Sequence, residues 1–133
     1  MAKTNGHISV IDLTNGTPIA IVNQSTAYSE SFVCLPNVTY AFEYQLTSVG
    51  NIDITIEIEE GNMPPETEGV ASTNMVVPEN AAAFDISIAD ELNHIKAYTP
   101  ATARFLRAKI TGNKINGATT VLSKFNVCTV VNL

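Results

Sequence analysis

Between Thr4 and Ile95 the chain contains no lysine or arginine, and its 133 residues hold only seven basic side chains against thirteen acidic ones. The formal charge of -6 argues against a general nucleic-acid binder, whose phosphate contacts require an excess of Lys and Arg. No apolar run approaches bilayer length, and the start "MAKTNGHISV" lacks the hydrophobic centre of a signal peptide. The expectation is a soluble product of the cytoplasm that contacts no membrane. Long Pro, Ser or Gln tracts are missing too, while 45% of residues are hydrophobic and 15% charged, so the chain should fold.

Catalytic and metal-binding signatures are equally scarce. There is no G-x-S-x-G, H-E-x-x-H, G-x-x-x-x-G-K-[ST] or C-x-x-C. His7 and His94 each lack a second ligand at metal spacing. Cys34 in "SFVCLP" and Cys128 in "FNVCTVV" sit among apolar and β-branched residues, which favours buried free thiols over a disulfide between two strands. Glu57, Glu59 and Asp53 lie side by side along one strand face, an arrangement unsuited to a glycosidase, whose two carboxylates oppose each other across a cleft. With Glu60, Glu66 and Glu68 they make no recognisable calcium loop. No catalytic residue, cofactor or metal site is expected.

Period-two alternation runs through what is present. In "NIDITIEIEE", Ile52, Ile54, Ile56 and Ile58 face one way and Asp53, Thr55, Glu57 and Glu59 the other, which is a strand with one buried face. "HISVIDL", "PIAIVN", "ESFVCL", "TYAFEYQLTSV", "AAFDISI", "HIKAY", "ARFLRAKITG" and "TTVLSKFNVCTVV" have the same character. Nine strands in one domain spanning residues 1–133 predict an all-β, antiparallel sandwich of jelly-roll type. Gly50-Asn51 and the Gly112 to Gly117 segment predict hairpin turns. The acidic, proline-containing stretch from Glu59 to Thr73 reads as a long exposed loop, and "IADELNHI" as a single helical turn at most.

Charge is distributed in two blocks. Every charged residue from Asp53 to Glu91 is acidic, and every one from Lys96 to Lys124 is basic. Adjacent strands of opposite sign would pair the blocks within the fold; alternatively, the acidic face of one copy meets the basic face of another molecule. Alternation along "ATARFLRAKITG" puts Phe105, Arg107 and Lys109 on one face, with Arg104 at the margin of the apolar face, where its stem can pack while its head reaches a carboxylate or carbonyl. Phe105 next to arginine has the composition of an interface anchor.

The same stretch, followed by "ATTVLSKFNV", resembles the end of small β-sandwich structural proteins of tailed bacteriophage virions, such as head decoration and accessory proteins. The corresponding parts are Ala103 to Gly112, Asn113 to Gly117 and Ala118 to Val131; the rest of the chain shares the strand-and-turn style. The resemblance implies a non-enzymatic virion protein that binds the major capsid protein or other virion proteins and forms homo-oligomers. Arg104, Phe105, Arg107 and Lys109 would be its basic contacts, and Asp53, Glu57 and Glu59 its acidic ones. The run Arg104 to Arg107 also resembles a strand of galactose-binding-like and discoidin-like sandwiches, which implies a carbohydrate-binding module. With no tryptophan, an aromatic platform would fall to Tyr28, Tyr40, Tyr44, Tyr98 or a phenylalanine.

Overall fold

The computed structural model describes residues 6–48, 51–79, 84–86, 93–116 and 120–132, and all its regular elements are strands. They are β1 (Gly6–Asp12), β2 (Ile19–Ala20), β3 (Ser25–Tyr28), β4 (Phe32–Val33), β5 (Tyr40–Ser48), β6 (Asn51–Gly61), β7 (Phe84–Ile86), β8 (Asn93–Tyr98), β9 (Phe105–Asn116) and β10 (Thr120–Asn132). One antiparallel sheet has the order β1-β10-β5-β8, with β2 also on β10; the other has the order β3-β9-β6-β7, with β4 also on β9. β5 pairs with β8 and β6 with β7, a nested pattern that wraps the chain around two layers in jelly-roll fashion.

The alternation in β6 explains the core. Ile52, Ile54, Ile56 and Ile58 are buried together with Leu106, Ala108 and Ile110 of the neighbouring β9. Facing them, β5 supplies Tyr40, Phe42, Tyr44 and Leu46, and β10 supplies Leu122, Phe125 and Val127. Phe32 of β4 joins the layers edge-on, with ring centroids 5.3 Å from Tyr40 and 6.0 Å from Phe42. Leu122 and Phe125 are three residues apart, which a regular strand would send to opposite faces. A register shift between Leu122 and Lys124 absorbs the extra residue, so both enter the core while Ser123 is exposed.

Both predicted hairpins are corrected by the topology. β5 and β6 belong to different sheets, as do β9 and β10, so neither pair forms a hairpin; residues 49–50 and 117–119 between them lie outside the described residues. β9 itself continues to Asn116. Alternation specifies which face of a strand is buried but not which strand lies beside it, and two-layer wrapping uses the same short turns. The segment from Glu59 to Thr73 is also not simply an exposed loop. β6 runs on to Gly61, and Glu60 exchanges backbone hydrogen bonds of 2.8 and 2.9 Å with Val76. Pro65 and Met75 are buried, and the Glu66 carboxylate accepts from the Ser72 and Thr73 hydroxyls and the Thr73 and Asn74 amides. Those bonds hold the Glu66 carboxyl below its ordinary range. β3 was not anticipated, because "STAY" is too short to show a period. The possible helical turn in "IADELNHI" falls mainly outside the described residues.

Candidate functional site

β6 and β9 run antiparallel with Glu57 opposite Lys109, Glu59 opposite Arg107 and Asp53 opposite Lys114. The acidic and basic blocks are thus neighbours in one sheet, and their charges face each other across strands. Arg107 is the extreme case. Its side chain is completely buried, its Nε donates to Glu59 Oε1 at 2.7 Å, and its Nη1 donates to the Val70 carbonyl at 2.6 Å. The Tyr28 ring of β3 covers the guanidinium at 4.2 Å. Glu59 is buried as well, because the 62–75 segment folds over this end of the sheet. Arg107 and Glu59 therefore offer almost no surface to another molecule. Glu57 and Lys109 are half-buried, and Asp53 is exposed.

Arg104 and Phe105 are placed differently. Phe105 opens β9 opposite Val33 of β4 and Gly61 of β6, and is half-buried. One residue earlier, Arg104 is exposed, yet its backbone is held on both sides. Its N–H donates to the Gly61 carbonyl at 3.1 Å, and its carbonyl accepts from the Cys34 N–H at 2.8 Å. Extending the β6–β9 register by one residue sets Asn62 beside Arg104. These residues, with Val33, Leu35 and Pro36, surround a cavity of about 510 Å³. Val33 and Leu35 are 70% and 59% exposed, so the cavity has apolar walls, one aromatic ring and two polar heads, a guanidinium and a carboxamide. The Leu35 N–H donates to the Tyr40 hydroxyl at 2.7 Å, and Asn37 takes a left-handed backbone (φ 62°), which together turn the 33–37 segment around the rim.

Cys34 forms part of the cavity base, buried, with its thiol directed to the Ala103 carbonyl at 3.2 Å. Burial, helped by nearby Glu60, pushes the thiol up to about 11, which keeps it protonated and unreactive at neutral pH. Both Cys34 and Cys128 are free. An adjoining recess of about 390 Å³ shares Asn62 and includes Glu60, Asn74, Pro78 and Thr102. There the Glu60 carboxylate accepts from the Tyr98 hydroxyl; burial first, and then Glu60, raises that hydroxyl far above its ordinary range. A separate recess of about 480 Å³ lies at Val10, Asp12, Pro18, Lys124 and Asn126, but it has no aromatic ring and its lysine is paired with Glu43 at 3.2 Å.

No protein-family model matches the chain, and a search of the curated proteins finds no match. Among solved structures, the chain is similar to part of the N-terminal endo-1,4-β-D-xylanase 10B of Clostridium thermocellum, CBM22-1-GH10 modules complexed with xylohexaose. The TM-score is 0.51 at 15% sequence identity, and the match covers 94% of this chain but only 24% of that one. The likeness is one of fold. The part matched is the CBM22 module, a β-sandwich, and two packed antiparallel sheets are what both chains share.

Of the seven residues singled out from sequence, the structure brings Arg104 and Phe105 to one cavity, joins Arg107 to Glu59 inside the protein, and sets Glu57 against Lys109. The cavity's other walls, Val33 to Pro36 and Asn62, were missed. Their only sequence signal is Pro36 and the polar turn "NVT" after an apolar run.

Proposed function

We propose that this chain is a non-catalytic carbohydrate-binding β-sandwich module whose ligand seats in the cavity at Phe105, Arg104 and Asn62. The observation that carries this reading is the combination lining that cavity: one half-buried aromatic ring, apolar walls, and two planar polar heads, of which the Arg104 guanidinium stands on a backbone fixed by hydrogen bonds to Gly61 and Cys34. A sugar ring offers an apolar C–H face and a rim of hydroxyls, so it needs a flat apolar contact and a few fixed hydrogen-bonding groups. The likeness in fold to a carbohydrate-binding module supports the same reading. Affinity gel electrophoresis against a panel of soluble polysaccharides, xylan included, tests it. Retardation that Phe105→Leu abolishes, with an unchanged circular dichroism spectrum, supports the proposal; migration unaffected by every polysaccharide refutes it.

A virion structural role is the second reading, favoured by the exposed Val33, Leu35 and Met63, apolar side chains suited to a protein contact. Its charge argument has lost force, because the acidic and basic blocks face each other within one sheet. Salt-insensitive self-association that Val33→Ser and Leu35→Ser abolish, without glycan binding, would favour that role over the first.

A further inference from the structure

We infer that the cavity selects a glycan whose otherwise neutral chain carries an isolated carboxylate, a uronate substituent, and that Arg104 reads that group. This rests on the carbohydrate-binding reading and specifies its ligand. The first support is the state of the basic side chains. Arg107 is ion-paired with Glu59, Lys124 with Glu43, and Lys109 and Lys114 lie opposite Glu57 and Asp53. Arg104 has no side-chain hydrogen bond or ion pair among the described residues, and the residues flanking it across the sheet, Cys34 and Asn62, are neutral.

The second support is geometry. Hydrogen bonds to Gly61 and Cys34 fix the Arg104 backbone, so a planar fork of donors is presented from a rigid base at the mouth of an apolar cavity. A guanidinium so placed matches a carboxylate through two parallel hydrogen bonds, and apolar walls strengthen the attraction relative to open water. The third support is the charge of the whole chain. At -6, with Arg104 at the site unpaired among the described residues, the protein repels a continuous polyanion and suits a single negative group.

The test is isothermal titration calorimetry with two probes, xylohexaose carrying one glucuronate branch and the same oligosaccharide after reduction of its carboxyl group. Wild-type protein is expected to bind the uronate probe about tenfold or more tighter than the reduced one, the range of a charge-assisted hydrogen bond. Arg104→Gln, at an exposed position, should bring the two probes to equal affinity, weakening the uronate probe about tenfold or more beyond any loss for the reduced one. Equal wild-type affinities for the two probes overturn the inference and leave the carbohydrate-binding reading intact. An equal loss of both probes in Arg104→Gln also overturns it, since Arg104 would then hold hydroxyls. Failure of the wild type to bind either probe overturns this inference, and the polysaccharide panel decides the broader reading separately.

Discussion

Replacing Arg107 by methionine should be among the most damaging single changes in this chain. The guanidinium is wholly buried and has three partners: Glu59 at 2.7 Å, the Val70 carbonyl at 2.6 Å and the Tyr28 ring at 4.2 Å. Methionine keeps the bulk but leaves the Glu59 carboxylate, 8% exposed in its side chain, without a counter-charge. Removing one partner of a buried pair costs about 3–5 kcal/mol, against a total stability of about 5–15 kcal/mol for a domain. At roughly 3–6 °C per kcal/mol for this length, Arg107→Met should melt at least about 10 °C below the wild type. Urea unfolding monitored by circular dichroism measures the same loss. The double variant Arg107→Met with Glu59→Leu should recover most of it, because apolar replacement of a whole buried pair is often neutral or better. The reasoning fails if Arg107→Met unfolds within about 0.5 kcal/mol of the wild type, the range of an ordinary surface substitution.

Three further outcomes follow from the same structure. Gly61→Ala should destabilise the fold and loosen the cavity rim, because a Cβ there would lie 2.4 Å from the Asn74 carbonyl oxygen; faster amide exchange at Arg104 and Val76 would show it. Burial and the adjacent Glu68 raise the Glu30 carboxyl above its ordinary 4.5 in the folded chain, so its contribution is present below the unfolded value and is lost as pH rises through the folded one. Glu30→Gln should therefore stabilise the protein relative to wild type at pH 7 but not at pH 4, as read by urea titration at each pH. In native protein a thiol reagent should modify half-buried Cys128 well before Cys34, whose labelling should await unfolding; rapid labelling of Cys34 would contradict its burial.

The faces of the strands were legible in the sequence because alternation reports directly on burial: all four isoleucines of β6 lie in the core. Strand partners were not, since Gly50-Asn51 suits a hairpin and a crossing between sheets equally well. The charge blocks contained the answer in their spacing. Glu57 and Glu59 are two apart, as are Arg107 and Lys109, which is the pattern of two adjacent strands pairing across one face. What no spacing could reveal is that the 62–75 segment would fold over that face and bury Arg107, because the covering groups, Tyr28 and Val70, arrive from distant parts of the chain. Arg104 and Phe105 were conspicuous from sequence, but their setting was not. Val33 to Pro36 and Asn62 reach them only through the register of β4 and β6 on β9.

The most direct test of the central claim is a nitrogen-proton correlation titration of the labelled protein with xylohexaose and with its glucuronate-branched form. Binding at the cavity predicts concentration-dependent shifts concentrated at Val33, Leu35, Asn62, Arg104 and Phe105, with the far recess at Asp12 and Lys124 unmoved. Shifts confined to that far recess, or no shifts with either sugar at millimolar concentration, would contradict the assignment of this cavity as a glycan site.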